Sequence, residues 1–186
     1  MSSNAIGFMS YVRADDEHDA GYLTDFRERL SGEVRAQTGM RFDIFQDRHD
    51  IAWGQNWRER IRDCIESVNF LICIITPSIF RSDACREEFE RFVRLERAVG
   101  RSDLILPVYY IDSPLLNDEA QRMADAVASL VAMRNYVDWR NLRFEPLSSP
   151  AAKKMLARLA SDIRLAMDSR PVEGDPGRRL AFDSVA

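Results

Sequence analysis

A thiol and a carboxylate stand three residues apart in the run Ser82-Asp83-Ala84-Cys85-Arg86-Glu87-Glu88-Phe89, a spacing that puts both on one face of a helix. At 100° per residue with Phe89 as origin, Phe92, Val93 and Cys85 fall within about 60°, Glu88 lies about 100° away, and Glu87 is nearly opposite. Glu88 is thus expected at the rim of the buried stripe and Glu87 in solvent. On their residues alone, both glutamates are acids that favour a helix start. Cys85 has no histidine or lysine nearby in sequence to make it a thiolate, so it reads as a small buried packing residue, as do Cys73 and Cys64. Trp57 opens an amphipathic pattern, whereas Trp53 sits inside a polar loop, where an aromatic side chain serves to stack on a flat ligand or to meet a partner.

Scarcity removes other chemistries. The chain has 186 residues but only 2 histidines, 3 cysteines and 8 glycines. His18 and His49 are too scattered for a histidine metal site, and the cysteines lack the close pairing of structural zinc, so no metal is expected. An odd, spread cysteine count fits a reducing compartment better than a disulfide framework. No P-loop and no GxGxxG after a strand occurs, so a glycine-rich phosphate cradle is missing. With 26 basic and 30 acidic residues the net charge is -4 and the signs are interspersed, which argues against nucleic acid as the main partner. No apolar stretch reaches the roughly 20 residues of a membrane helix, and Met1-Ser2-Ser3-Asn4 lacks the layout of a signal peptide. A cytoplasmic protein is expected.

The elements that must hold these residues follow from periodicity. Residues 5–11 read as a strand. Asp15, Asp16, Glu17 and Asp19 then precede a helix whose inner face carries Leu23, Phe26, Leu30 and Val34 and which ends at Gly39, the acids acting as its cap. A strand over 42–45 leads to a polar loop, 46–56, with Asp47, Arg48, Trp53 and Gly54, and to a helix through Trp57, Ile61, Ile65 and Val68. The run 69–76 is apolar on both faces, as in a central parallel strand. A helix over 83–99, a strand over 104–111, a helix over 115–132, a strand over 135–139 and a helix over 150–168 complete the pattern. Alternation of strand and helix about five times predicts an α/β sandwich with a parallel sheet and right-handed crossovers. Ligands of such sheets sit beyond the carboxyl ends of the strands, which singles out Ser10, Tyr11 and Arg13, then 47–57, then Ser78 to Glu88, then Asp112. A phosphoacceptor receiver domain would also place acids after the first strand. It needs an aspartate after the third, where this chain has Thr76-Pro77-Ser78. Residues 1–168 form one expected domain, and 169–186, with Pro171, Gly174, Pro176 and Gly177, a tail or linker.

Three ordered segments carry a resemblance: Phe8-Met9-Ser10-Tyr11, then Asp47-Arg48-His49-Asp50-Ile51 with Gly54 and Trp57, then Ser82 with Cys85-Arg86-Glu87-Glu88. Together they resemble the motifs of Toll/interleukin-1 receptor (TIR) domains, bacterial-type members above all, over about residues 5–168. The resemblance implies a flavodoxin-like three-layer sandwich with a five-stranded parallel sheet in the order 2-1-3-4-5, and 46–56 as the BB loop. It implies one of two functions. Many members cleave NAD at the nicotinamide-ribose bond, releasing nicotinamide and ADP-ribose or a cyclic isomer; others are interaction modules without turnover. A nucleoside deoxyribosyltransferase is a more distant alternative. In the NAD-cleaving members a glutamate that aligns with Glu88 is catalytic, which implies a substrate site drawing on Ser10, Tyr11, Arg13, Asp47, Arg48, Trp53, Trp57, Ser82 and Cys85, with Ser82 and Cys85 mainly setting the helix that aims Glu88. NAD is then substrate and no cofactor is required. The resemblance further implies self-association through the BB loop, a fused or separate sensor or effector domain, and a role in bacterial anti-phage signalling.

Overall fold

A computed structural model of the chain describes residues 6–46 and 70–169. Its centre is a five-stranded, all-parallel sheet in the order β2-β1-β3-β4-β5, built from β1 (Ile6–Ser10), β2 (Asp43–Gln46), β3 (Phe70–Ile75), β4 (Ile105–Tyr109) and β5 (Val137–Asp138). Every residue of β3 is buried, as a strand covered on both faces must be. β1 lies beside it with Ser10 opposite Cys73, and β4 on the other side with Ile105 opposite Leu71. Gly7 makes room in β1: a Cβ there would stand 3.1 Å from Phe42 Cζ.

The expected helix after β1 is divided. A short α1 (Arg13–His18) is followed by α2 (Tyr22–Thr38), whose buried residues are Leu23, Phe26, Leu30 and Val34. Gly39 closes α2 at φ 69°, a left-handed position that costs a glycine nothing sterically. On the same face of the sheet α7 (Pro150–Asp168) packs against α2. The other face carries α3 (Asp83–Val99), because the β3-to-β4 crossover runs opposite to the β1-to-β2 crossover and both turn right-handed.

Two expectations change in the second half. The single helix over 115–132 is three: α4 (Pro114–Asn117), α5 (Glu119–Ala124) and α6 (Ala126–Ala132). Asp118 and Asp125 are each extended, and their side chains accept hydrogen bonds from Gln121 N and Ala128 N. An aspartate that offers its own acceptor to the backbone ends one helix and starts the next. The last strand is also shorter than expected, two residues in place of 135–139. The indole of Trp139, fully buried just beyond it, meets Phe26 edge-on with ring centres 4.9 Å apart. No helix among the described residues is long and apolar enough to cross a membrane.

Candidate functional site at the carboxyl edge of the sheet

The carboxyl ends of β1 and β3 meet the amino end of α3, and there two of the singled-out residues come together. Ser10 Oγ donates to Glu88 Oε2 at 2.7 Å across 78 residues of sequence. Ser10 is 2% exposed, while Glu88 is half-buried and Glu87 exposed, the arrangement the helical angles require. Ser10 ends β1 beside the central strand, where a hydroxyl would be costly without a partner; the carboxylate supplies it.

Local sequence aims α3. Ser82 is extended and its side chain accepts from Cys85 N at 3.3 Å, satisfying one of the first-turn amides that a helix leaves open. Asp83 adds an acid to that turn. Arg86 donates to Phe80 O at 3.1 Å and to Asp125 Oδ2 at 2.7 Å, tying the helix start to the cap of α6. Cys85 is buried at 5%. Below the pair lies Cys73, the β3 residue opposite Ser10. Burial pushes its thiol well above its ordinary value, with the Cys85 thiol and the Glu88 carboxylate adding to that push. Cys73 is therefore an uncharged floor for the site and not a nucleophile.

The remaining candidates divide. Tyr11 is buried at 6% directly after Ser10. Arg13 stands exposed and donates to Glu17 Oε1 at 2.8 Å. Asp47, Arg48, Trp53 and Trp57 lie outside the described residues, as do 47–56 of the loop, the helix expected through Val68, Cys64 and the tail from 170 onward.

The acids after β1 do more than cap one helix. Asp16, inside α1, accepts from Leu23 N at 2.8 Å and Thr24 N at 3.2 Å, so it caps α2 from a distance. Asp15 receives Thr76 Oγ1 at 2.7 Å and Ser78 Oγ at 3.0 Å. Asp19 receives the Tyr110 hydroxyl and both contacts of Arg143 Nη2 at 2.9 Å. Asp15 thus ties α1 to the turn after β3, and Asp19, which closes α1, ties it both to the residue after β4 and to the loop after β5. The hydroxyls of Thr76 and Ser78 immediately after an apolar strand are the sequence signal for the first of these. Among the described residues no group of three or more histidine, cysteine, aspartate or glutamate side chains is arranged to hold a metal. A cleft of about 850 Å³ lies at the opposite edge, near the amino ends of β4 and β5, and includes Ile105, Arg134, Val137 and Asp162; none of the Ser10–Glu88 chemistry reaches it.

A doubly wound parallel sheet of flavodoxin-like order, with polar groups gathered where β1 and β3 end, is the class defined by this geometry. A family model described as TIR domain matches residues 8–155, and the chain belongs to that family. Among solved structures it is similar to the TIR domains of the activated Roq1 resistosome directly recognizing the pathogen effector XopQ, with 15% identity and a TM-score of 0.57 over 86% of this chain and 99% of that one. It is also similar to the TIR domain of the Toll-related receptor TRR-2 from Hydra magnipapillata, with 20% identity and a TM-score of 0.45 over 85% of this chain and 97% of that one. The first likeness speaks to the fold. No curated protein matches the chain.

Proposed function

We propose that this TIR domain is an NAD nucleosidase that cleaves the nicotinamide-ribose bond with Glu88 as its catalytic carboxylate. The observation that carries the proposal is the 2.7 Å hydrogen bond from Ser10 to Glu88 at the carboxyl edge of β1 and β3, where sheets of this order take their ligands. The chemistry fits the residues. Nicotinamide is bound as a pyridinium cation and leaves neutral, so no general acid has to protonate it, and the second carboxylate of an ordinary glycosidase is unnecessary. One carboxylate that hydrogen-bonds the ribose hydroxyls and faces the developing oxocarbenium stabilises the transition state, an effect worth on the order of 3–4 kcal/mol in a partly dry site. Ser10 fixes the rotamer of that carboxylate before substrate arrives, which lowers the cost of orientation. The product is ADP-ribose when water reaches the ribose carbon and a cyclic isomer when an adenine nitrogen does.

The similarity to domains that belong to a resistosome supports self-association, and we assign the loop 46–56 as the contact between copies. A cytoplasmic role in signalling, of the anti-phage kind, follows from the same reading. A second reading, an interaction module without turnover, draws on that same similarity. Purified protein, concentrated or artificially clustered, incubated with NAD and separately with nucleosides, separates these readings. Nicotinamide release supports the proposal, base release from nucleosides alone points to a transferase, and no release under clustering leaves the interaction module.

A further inference from the structure

Buried on the same helix as Glu88 is a second carboxylate that the proposed chemistry does not use. Glu96 is 3% exposed. Its Oε1 accepts Leu104 N at 2.9 Å and Ile105 N at 3.1 Å, and Arg134 grips it with two prongs, Nη1 to Oε1 at 3.2 Å and Nη2 to Oε2 at 2.6 Å. A charge with so little exposure persists only when paired and fully hydrogen-bonded, and a well-packed apolar residue would serve stability as well. Its burial is therefore weak evidence of a role in stability and leaves room for one in positioning.

The register of the sheet supplies that role. Glu88 is bound to Ser10, which lies opposite Cys73; Glu96 is bound to the amide of Ile105, which lies opposite Leu71. The two carboxylates of α3 are therefore fastened to the two strands that flank β3, Glu88 to β1 and Glu96 to β4. Eight residues of helix, about 12 Å, separate the fastenings. A helix held at one point can swing about it, whereas one held at both flanks of a strand can neither swing nor slide. The Arg134 guanidinium also lies 5.8 Å from the centre of the Phe89 ring, the residue next to Glu88, so the same cation braces the helix at both positions.

We infer that Glu96 and Arg134 are positioning residues that set the register of α3 against the sheet and thereby place the Glu88 carboxylate. The catalytic part of this inference rests on the nucleosidase reading; the mechanical part does not. The test compares Glu96→Gln and the milder Arg134→Lys, which keeps the charge but loses the two-pronged grip, with Ile163→Ala. Ile163 is fully buried on α7, on the opposite face of the sheet, and serves as a control for loss of stability alone. Each variant is assayed well below its melting temperature, per folded molecule, for nicotinamide release from NAD, and by hydrogen exchange of amides 84–92.

A misplacement of about 1 Å at a reacting group costs up to a hundredfold. Glu96→Gln is accordingly expected to lower kcat at least tenfold with KM held, Arg134→Lys to lower it less, and Ile163→Ala to leave it unchanged. Exchange at 84–92 should quicken in the first two and not in the control. Wild-type kcat in both the Glu96 and the Arg134 variants, or faster exchange confined to residues 94–105, would overturn the inference. Should the wild-type protein itself release no nicotinamide, the nucleosidase reading fails, and the exchange measurement alone decides whether the far pair holds the amino-terminal half of α3.

Discussion

Ser10 follows the first strand, the position that makes it a candidate substrate contact, and in the structure its hydroxyl is engaged by a carboxylate. At 2% exposure, with its hydroxyl on Glu88, it acts on the carboxylate. A hydrogen bond to a charged group is worth about 1.5–3 kcal/mol. Ser10→Ala is therefore expected to lower kcat by roughly tenfold to a hundredfold while KM stays close to wild type. A raised KM with unchanged kcat would return Ser10 to substrate binding. Cys73 gives a second check. Its thiol is held protonated by burial, the Cys85 thiol and the Glu88 carboxylate, so iodoacetamide at pH 8, read by peptide mass, should modify Cys73 only after unfolding. Native-state alkylation at the rate of a free thiol would mean that the floor of the site is open.

Among the elements, α3 is the one that carries Glu88, and its start depends on Ser82. Ser82→Ala removes a cap worth about 1 kcal/mol, and the melting temperature should fall by about 2–4 °C; Ser82→Asp, which also accepts from the third amide, should restore it. No difference between the two variants would remove the cap from the account. The bounds of this helix, 83–99, and of α7, 150–168, were legible beforehand. Both open on a serine cap, and both repeat apolar residues at helical spacing without interruption. The region 115–132 was not legible in the same way, since its apolar residues permit one helix and only the local bonding of Asp118 and Asp125 divides it. The half-buried position of Glu88 was legible, because a helical angle places it at the rim. Its hydroxyl partner was legible only as a position, because nothing in Phe8-Met9-Ser10 indicates that Ser10 will meet a residue 78 positions away. The Glu96–Arg134 pair left no signal at all: a glutamate in a charged helix looks solvated until the fold buries it.

For the molecule as a whole, acid is expected to loosen the fold through its partly exposed ion pairs. The hydrogen bond from Arg101 holds the Asp103 carboxyl below its ordinary 3.8, and that from Arg140 does the same for Asp138. A carboxyl depressed in the folded state adds stability above its unfolded value, and that stability is lost as pH falls through the folded value. The melting temperature should therefore decline below about pH 4, and Asp103→Asn with Asp138→Asn should flatten that decline. The change will be small because both side chains are well exposed, and an unaltered slope would exclude them. The proposed self-association makes a kinetic demand as well: the rate of nicotinamide release should rise more steeply than linearly with protein concentration, and strict proportionality would show that a single copy suffices. The proposed activity stands on one carboxylate. Nicotinamide release from NAD by clustered protein, measured beside a Glu88→Ala variant of matched folding and assembly, tests it most directly. The expected result is a loss on the order of a hundredfold or more in kcat; equal rates in the two proteins would contradict it.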